Sequence, residues 1–229
     1  MIQYARLHVP VDIESIRLEL NSLKSAWVPH FNTRYYEGNW SVLSLRSTTG
    51  DADQIIPDLH RQERFSDTPL LAECPAILAL LSFFQCPLMA VRLMNLQPGS
   101  VIRPHKAADL SFEKGEARLH IPVFTNDGVS FYSEDDLVRM KEGECWYINV
   151  NLPHSVSNLG PTDRIHLVID CEVNDWLKEL FQSAECTLAP ERQMRDETIK
   201  IINELRNQNT EVANQIADQL ELQLNGASL

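Results

Sequence analysis

From residue 89 to 172 the chain is written in short runs of alternating apolar and polar positions, each closed by a turn signal. The runs predict strands at 89–96, 100–105, 117–123, 129–132, 136–140, 144–149, 154–158 and 164–170. Their breaks are Pro98-Gly99, Lys114-Gly115, Asn126-Asp127-Gly128, Glu142-Gly143 and Gly160-Pro161. Short strands at this spacing, with no helical pattern between them, predict an antiparallel sandwich or jelly roll.

The flanks follow another period. Asp12 is placed to cap a helix carrying Ile13, Ile16, Leu20 and Leu23 on one face. Thr68-Pro69 reads as a cap with proline at the first helical position, and Pro75 restarts a helix through Leu81. Between them Trp40 to Leu45 alternates as a strand. After 172 the pattern is helical again, first over Trp176–Phe181 and then as one long helix from Glu191 to Leu224. That helix places Ile202, Leu205, Val212, Ile216 and Leu220 at three- and four-residue spacings, with Asn209 on the same seam. Packing on its own domain is the plainer reading, and a homodimer contact through this C-terminal helix is the other. The chain thus divides into N-terminal helical and strand elements (1–88), a β-rich core (89–172) and a C-terminal helical extension (173–229).

Composition narrows the partners. Across 229 residues, 20 Lys and Arg stand against 32 Asp and Glu, a formal charge of −12. That excess repels phosphate backbones and anionic lipid, which argues against a nucleic-acid polymer or a membrane as partner. The longest nearly apolar run, Ala76 to Phe84, is far too short to span a bilayer. The N-terminus carries no basic stretch ahead of an apolar block, so no signal peptide is expected. Five cysteines, odd in number and never spaced Cys-x-x-Cys, point to a reduced cytoplasmic protein without a structural zinc.

Among seven histidines, His105 ends one predicted strand and His154 opens another. Two imidazoles at the mouth of a jelly roll can hold a divalent metal from one side, although by themselves two distant histidines are more often structural. The neighbouring text adds Arg118 and His120 on one strand and Arg164 on another. An arginine on an inner strand is costly to bury unpaired, so each implies an anion: a carboxylate ligand or a local Asp. For Arg118 a plain ion pair with Glu116 or Asp109 is the structural alternative. His166 is read as turned to the face opposite Arg164.

Together these segments carry a resemblance. Pro98 to His105, Arg118-Leu119-His120-Ile121-Pro122, Gly143 to Asn149, His154 to Asn158 and Asp163 to Leu167 resemble, in order and spacing, the aspartyl/asparaginyl β-hydroxylase family of iron(II)- and 2-oxoglutarate-dependent oxygenases, which includes proline 3-hydroxylase. The resemblance covers Val91 to Cys171. It implies a mainly β fold, a double-stranded β-helix (jelly roll, cupin-like) with flanking N-terminal and C-terminal helices. It also implies Fe(II) held by His105 and His154, and Arg164 pairing the distal carboxylate of 2-oxoglutarate. Arg118 and His120 would lie near the other end of the cosubstrate or the substrate carboxylate.

One position departs from the pattern. The family's usual His-x-Asp reads His105-Lys106-Ala107 here, and alanine cannot ligate a metal. The animal aspartyl hydroxylases of the family also lack this carboxylate and work with two histidines and water. Certain related halogenases have Ala or Gly there and seat a halide. An engineered Asp→Ala variant, or a protein that only binds metal and 2-oxoglutarate, are the remaining readings. Asp109, farther along, is a substitute ligand only if the strand bulges. The expectation is therefore an enzyme that functionalises an unactivated C–H bond of a small polar substrate, an amino acid or related metabolite. Hydroxylation is one outcome; chlorination, with Ala107 leaving room for chloride, is the other. Trp40, Arg46 and Arg103 are candidates for the substrate pocket.

Overall fold

In the computed structural model, residues 1–25, 27–55, 65–107 and 110–226 are described. The N-terminal part supplies β1 (Ile2–Leu7), α1 (Ile13–Ser22), β2 (Val28–Pro29), β3 (Tyr36–Glu37), β4 (Trp40–Ser47), β5 (Ser66–Asp67) and α2 (Pro75–Leu81). The β-rich part follows with β6 (Leu88–Leu96), β7 (Ser100–His105), β8 (Glu116–Phe124), β9 (Val129–Ser133) and β10 (Asp136–Leu137). Next come β11 (Cys145–Ile148), β12 (His154–Asn158), β13 (Arg164–Glu172), α3 (Asp175–Gln182) and β14 (Glu185–Leu188). Two helices, α4 (Glu191–Asn207) and α5 (Glu211–Gly226), close the sequence.

These strands form a double-stranded β-helix, or jelly roll. A nine-stranded sheet runs β14-β1-β11-β8-β13-β6-β4-β2, with β5 beside β4, and a five-stranded sheet runs β10-β9-β12-β7-β3. The pairings within both are antiparallel. The alternation read from the sequence gives every core strand. Two runs are shorter than expected: 136–140, where pairing with β9 stops at Leu137, and 144–149, where the strand is Cys145–Ile148. The strand expected over Trp40–Leu45 is present as β4, and the N-terminal zone adds one the pattern did not announce, β1; both belong to the large sheet.

Period-two alternation gives the large sheet two buried faces. One face presents Val91, Leu93, Leu119, Ile121, Leu167 and Ile169, packed against Ile16 of α1, Ile77 and Leu80 of α2, and Leu177 and Phe181 of α3. Asp12 caps α1 by accepting from the Ser15 N–H at 3.2 Å, and Asn174 caps α3 by accepting from the Leu177 N–H at 3.0 Å. The other face looks at the small sheet across Val42, Met94, Leu96, Val168, Ile102, Phe131 and Val156. Thr68 does not cap the short turn that follows it; its hydroxyl donates to Ser44 O at 2.9 Å instead.

The chain forms two compact units, Ile2–Thr187 and the segment from Leu188 onward with Met1. In the second unit the single long helix expected from the sequence is a hairpin. Asn209 has φ of 50°, a left-handed conformation Asn tolerates, and Thr210 caps the next helix with its hydroxyl accepting from the Ala213 N–H. Asn209 is thus the turn and not a seam residue. Arg206 reaches across to Asp218 and Glu221, and Ile202, Ala213 and Ala217 are buried. Among the described residues no helix is long and apolar enough to cross a membrane.

Candidate active site

A cavity of about 410 Å³ opens between the two sheets, and the paired histidines lie in its wall. His105 ends β7 and His154 opens β12, and antiparallel pairing sets them directly opposite each other. Their ring centroids are 4.2 Å apart. Each ring presents Nδ1 to a carbonyl two residues earlier, Arg103 O at 2.9 Å and Leu152 O at 3.1 Å. A carbonyl can only accept, so Nδ1 carries the proton and the Nε2 lone pair is left available. This is how a protein fixes the tautomer of an imidazole that ligates metal. Burial, then the neighbouring His105, pushes the His154 pKa down to about 3, which keeps the ring neutral.

Ala107 follows on the same segment. Its N–H donates to Val150 O at 2.8 Å, and it lines the cavity with the two histidines. Among the described residues, no three His, Cys, Asp or Glu side chains group closely enough to hold a metal. Asp109, the substitute ligand considered from the sequence, lies outside the described residues.

The large sheet faces these histidines with charge. Arg164 is 3% exposed; its Nη2 donates to His166 Nδ1 at 2.8 Å and its Nε has no partner. No carboxylate pairs it among the described residues, and burial pulls its pKa down to about 9. Neither ring nitrogen of buried His120 has a partner, and burial, then Arg164 and Arg118, holds its pKa well below the ordinary value. The expectation that His166 turns away from Arg164 is wrong. Residues two apart on a strand share a face, and the two side chains are bonded.

Arg118 has a partner that neither sequence alternative named. Among the described residues a carboxylate that binds it is Asp170, directly opposite it on β13; Asp109 lies outside the described residues. Nε meets Oδ1 at 2.6 Å and Nη2 meets Oδ2 at 2.8 Å, while Arg92 Nη2 reaches the same Oδ2 at 2.5 Å. Burial pushes the Asp170 pKa up, but Arg118 and Arg92 outweigh it and the net shift is downward. Two cations on one anion leave this buried triad an excess of one positive charge. Arg92 and Asp170 were not picked out from the sequence. Their signal was there: each is a lone charge inside an apolar strand run, and they are of opposite sign.

Of the substrate-pocket candidates, Trp40 lines the cavity, stacked on His30 at 3.5 Å with its indole N–H unpartnered. Arg46 and Arg103 do not. Arg46 is held by Asp67, Phe65 O and Leu88 O at the sheet edge. Arg103 pairs with Glu37 and Arg34 O on the outside of β7, where strand parity turns it from the cavity.

A jelly roll with two histidines of matching tautomer facing buried cations defines the class of site in which a metal and an anion would share a cavity. The chain belongs to the aspartyl/asparaginyl β-hydroxylase family, whose model matches residues 11–174, well over half its length. It is 28% identical over 189 residues to L-proline cis-4-hydroxylase of Rhizobium meliloti (strain 1021), covering 78% of this chain and 67% of that one. It is 24% identical over 185 residues to L-proline cis-3-hydroxylase 2 of a Streptomyces species, covering 78% and 63%. The chain therefore spans about two thirds of the length of these curated relatives. A solved oxidoreductase of the 2OG-Fe(II) oxygenase family from Burkholderia pseudomallei overlaps 70% of this chain and 78% of its own, at 12% identity and a TM-score of 0.47. That overlap is too loose to transfer any residue.

Proposed function

We propose that this chain is an Fe(II)- and 2-oxoglutarate-dependent hydroxylase of a small polar metabolite, an amino acid or a close carboxylate relative. The observation that carries the reading is Arg164: a buried cation with no carboxylate partner among the described residues, lining the cavity that His105 and His154 also line. An unpaired buried charge is expensive, and a site that keeps one is built for an anion. Family membership and the two proline hydroxylase relatives support the same class.

In this reading His105 and His154 hold the metal through Nε2, and Arg164 fixes the distal carboxylate of 2-oxoglutarate by a charge-assisted bond. Once bound, Fe(II) with 2-oxoglutarate and O₂ supplies the oxidant for an unactivated C–H bond, the cosubstrate leaving as succinate and CO₂. The protein's part is placement and shielding. His120, neutral and unpartnered, is free to donate to the near end of the cosubstrate. Arg118 and Arg92, sharing Asp170, present one net positive charge to the substrate carboxylate. Apolar Phe131, Val156 and Met94 exclude water around the reacting carbon.

The test is incubation with Fe(II), 2-oxoglutarate and a panel of free amino acids that includes L-proline. The expected result is succinate formed in step with a product bearing one added oxygen. No succinate above the metal-free control across the panel would refute the reading.

Ala107 favours a second outcome for the same site. Its methyl group leaves space beside the two histidines, and chloride would fill that space and restore the negative charge a carboxylate ligand would bring. Chlorinated product formed only in chloride, and lost in Ala107→Asp, would establish this outcome. Products indifferent to chloride leave hydroxylation alone.

A further inference from the structure

The cavity face holds two differently treated arginines. Arg118 is clamped by a carboxylate, two bonds to Asp170, so most of its charge is satisfied inside the protein. Arg164 is held by a bond of the same quality, 2.8 Å, but its partner is an imidazole. Arginine has no acceptor, so the bond can only run from Arg164 Nη2 to an unprotonated Nδ1 of His166. A neutral acceptor orients the guanidinium without neutralising it.

We propose that His166 is a positioning residue that aims Arg164 and keeps its charge uncompensated, which makes the site selective for a 2-oxo acid with a second, distal carboxylate. This rests on the assignment of Arg164 to the cosubstrate, and it adds what that assignment leaves open: why an aspartate, the usual partner of a buried arginine, is absent here. His166 is itself 2% exposed. Burial first, then Arg164 and His120, holds its pKa well below the ordinary value, so it stays the acceptor the geometry needs. Its ring also stands 5.8 Å, edge to face, from His120, which braces it against rotation.

The arrangement makes a graded prediction that space-filling does not. His166→Gln keeps a neutral acceptor, His166→Leu removes it, and His166→Glu replaces it with an anion of nearly the same size as Gln. If His166 were only a core side chain, the three would differ by packing and Glu would resemble Gln once folded.

The experiment is anaerobic equilibrium binding to the Mn(II)-loaded protein of 2-oxoglutarate and of 2-oxopentanoate, which lacks the distal carboxylate, with thermal melts on every variant. The wild type is expected to favour 2-oxoglutarate by a hundredfold or more. His166→Gln should keep that preference within about threefold, His166→Leu should lose at least tenfold of it, and His166→Glu should nearly abolish it. The affinity for 2-oxopentanoate should stay level in all three. Leu or Glu variants that fold and keep the full preference would overturn the proposal. Arg164→Leu separates the two claims: if it keeps the preference, the cosubstrate assignment itself falls, whereas if it loses the preference and the folded His166 variants do not, only the role of His166 falls.

Discussion

The two faces of the large sheet are made of alternate residues of the same strands, yet they obey opposite rules. On β13, Leu167, Ile169 and Cys171 face the helices while Arg164, His166 and Asp170 face the cavity. On β8, Leu119 and Ile121 face the helices while Arg118 and His120 face the cavity. On these two strands the helix face is apolar and buried. The cavity face buries two arginines, two histidines and one aspartate and half-buries Arg118, groups that each cost free energy to dehydrate. One face stabilises the fold, and the other draws on that stability to hold charges where a ligand can use them. Parity along a strand therefore predicts what a substitution does.

The largest effect is expected where the cavity face balances its own charge. Asp170→Ala leaves Arg92 and Arg118 buried without their anion, which should cost about 3–5 kcal/mol in urea unfolding. A loss well under 1 kcal/mol would mean the arginines are already compensated elsewhere. On the opposite face Leu119→Ala should cost about 2–5 kcal/mol by cavity formation, and the folded fraction should bind 2-oxoglutarate as tightly as the wild type. Weakened binding per folded molecule would show that the faces are not separable.

Acid should attack the cavity face first. His120 and His166 are held neutral when folded, by burial and then Arg164, so the unfolded chain takes up protons that the folded chain refuses. Stability should fall as pH drops below about 6.5, by up to about 1.4 kcal/mol per pH unit for each such histidine. The depressed carboxyl of Asp170 works in a lower window: its contribution is present above the ordinary carboxylate range and is lost as pH falls through and below it. His120→Leu should remove one proton from the slope between pH 6.5 and 5; an unchanged slope would contradict the burial argument. The smallest effect belongs to the helix layer. Asp12→Ala, which removes the cap on α1, should lower the urea midpoint slightly, less than Leu119→Ala does, with no change in ligand binding.

Much of this contrast was legible in the sequence, because strand parity and turn chemistry are local. The eight core strands follow from alternation and from punctuation by Gly and Pro, whereas the pairing of His105 with His154 was reached only through the family resemblance. What was not legible depends on pairing between distant strands. Asp170 meets Arg118 only because β13 lies beside β8 in a particular register, so the sequence offered the nearer Glu116 and Asp109 as partners. Arg103 was a pocket candidate, yet it follows inward-facing Ile102 and so points outward to Glu37; the register slips by one residue between Ile102 and His105, which the sequence does not reveal. The C-terminal hairpin was missed for a different reason: the helical period runs through Asn209 without interruption, and only its left-handed backbone reveals the turn.

The most direct test is Arg164→Leu, measured for stability and for 2-oxoglutarate affinity in the same preparation. A residue of the structural face would lose stability when replaced, whereas a cation kept buried for a ligand should not. The account predicts a urea midpoint that is unchanged or higher, because an unpaired buried charge is replaced by a hydrocarbon, together with loss of measurable 2-oxoglutarate binding. A variant that is strongly destabilised yet binds 2-oxoglutarate as the wild type does would contradict it.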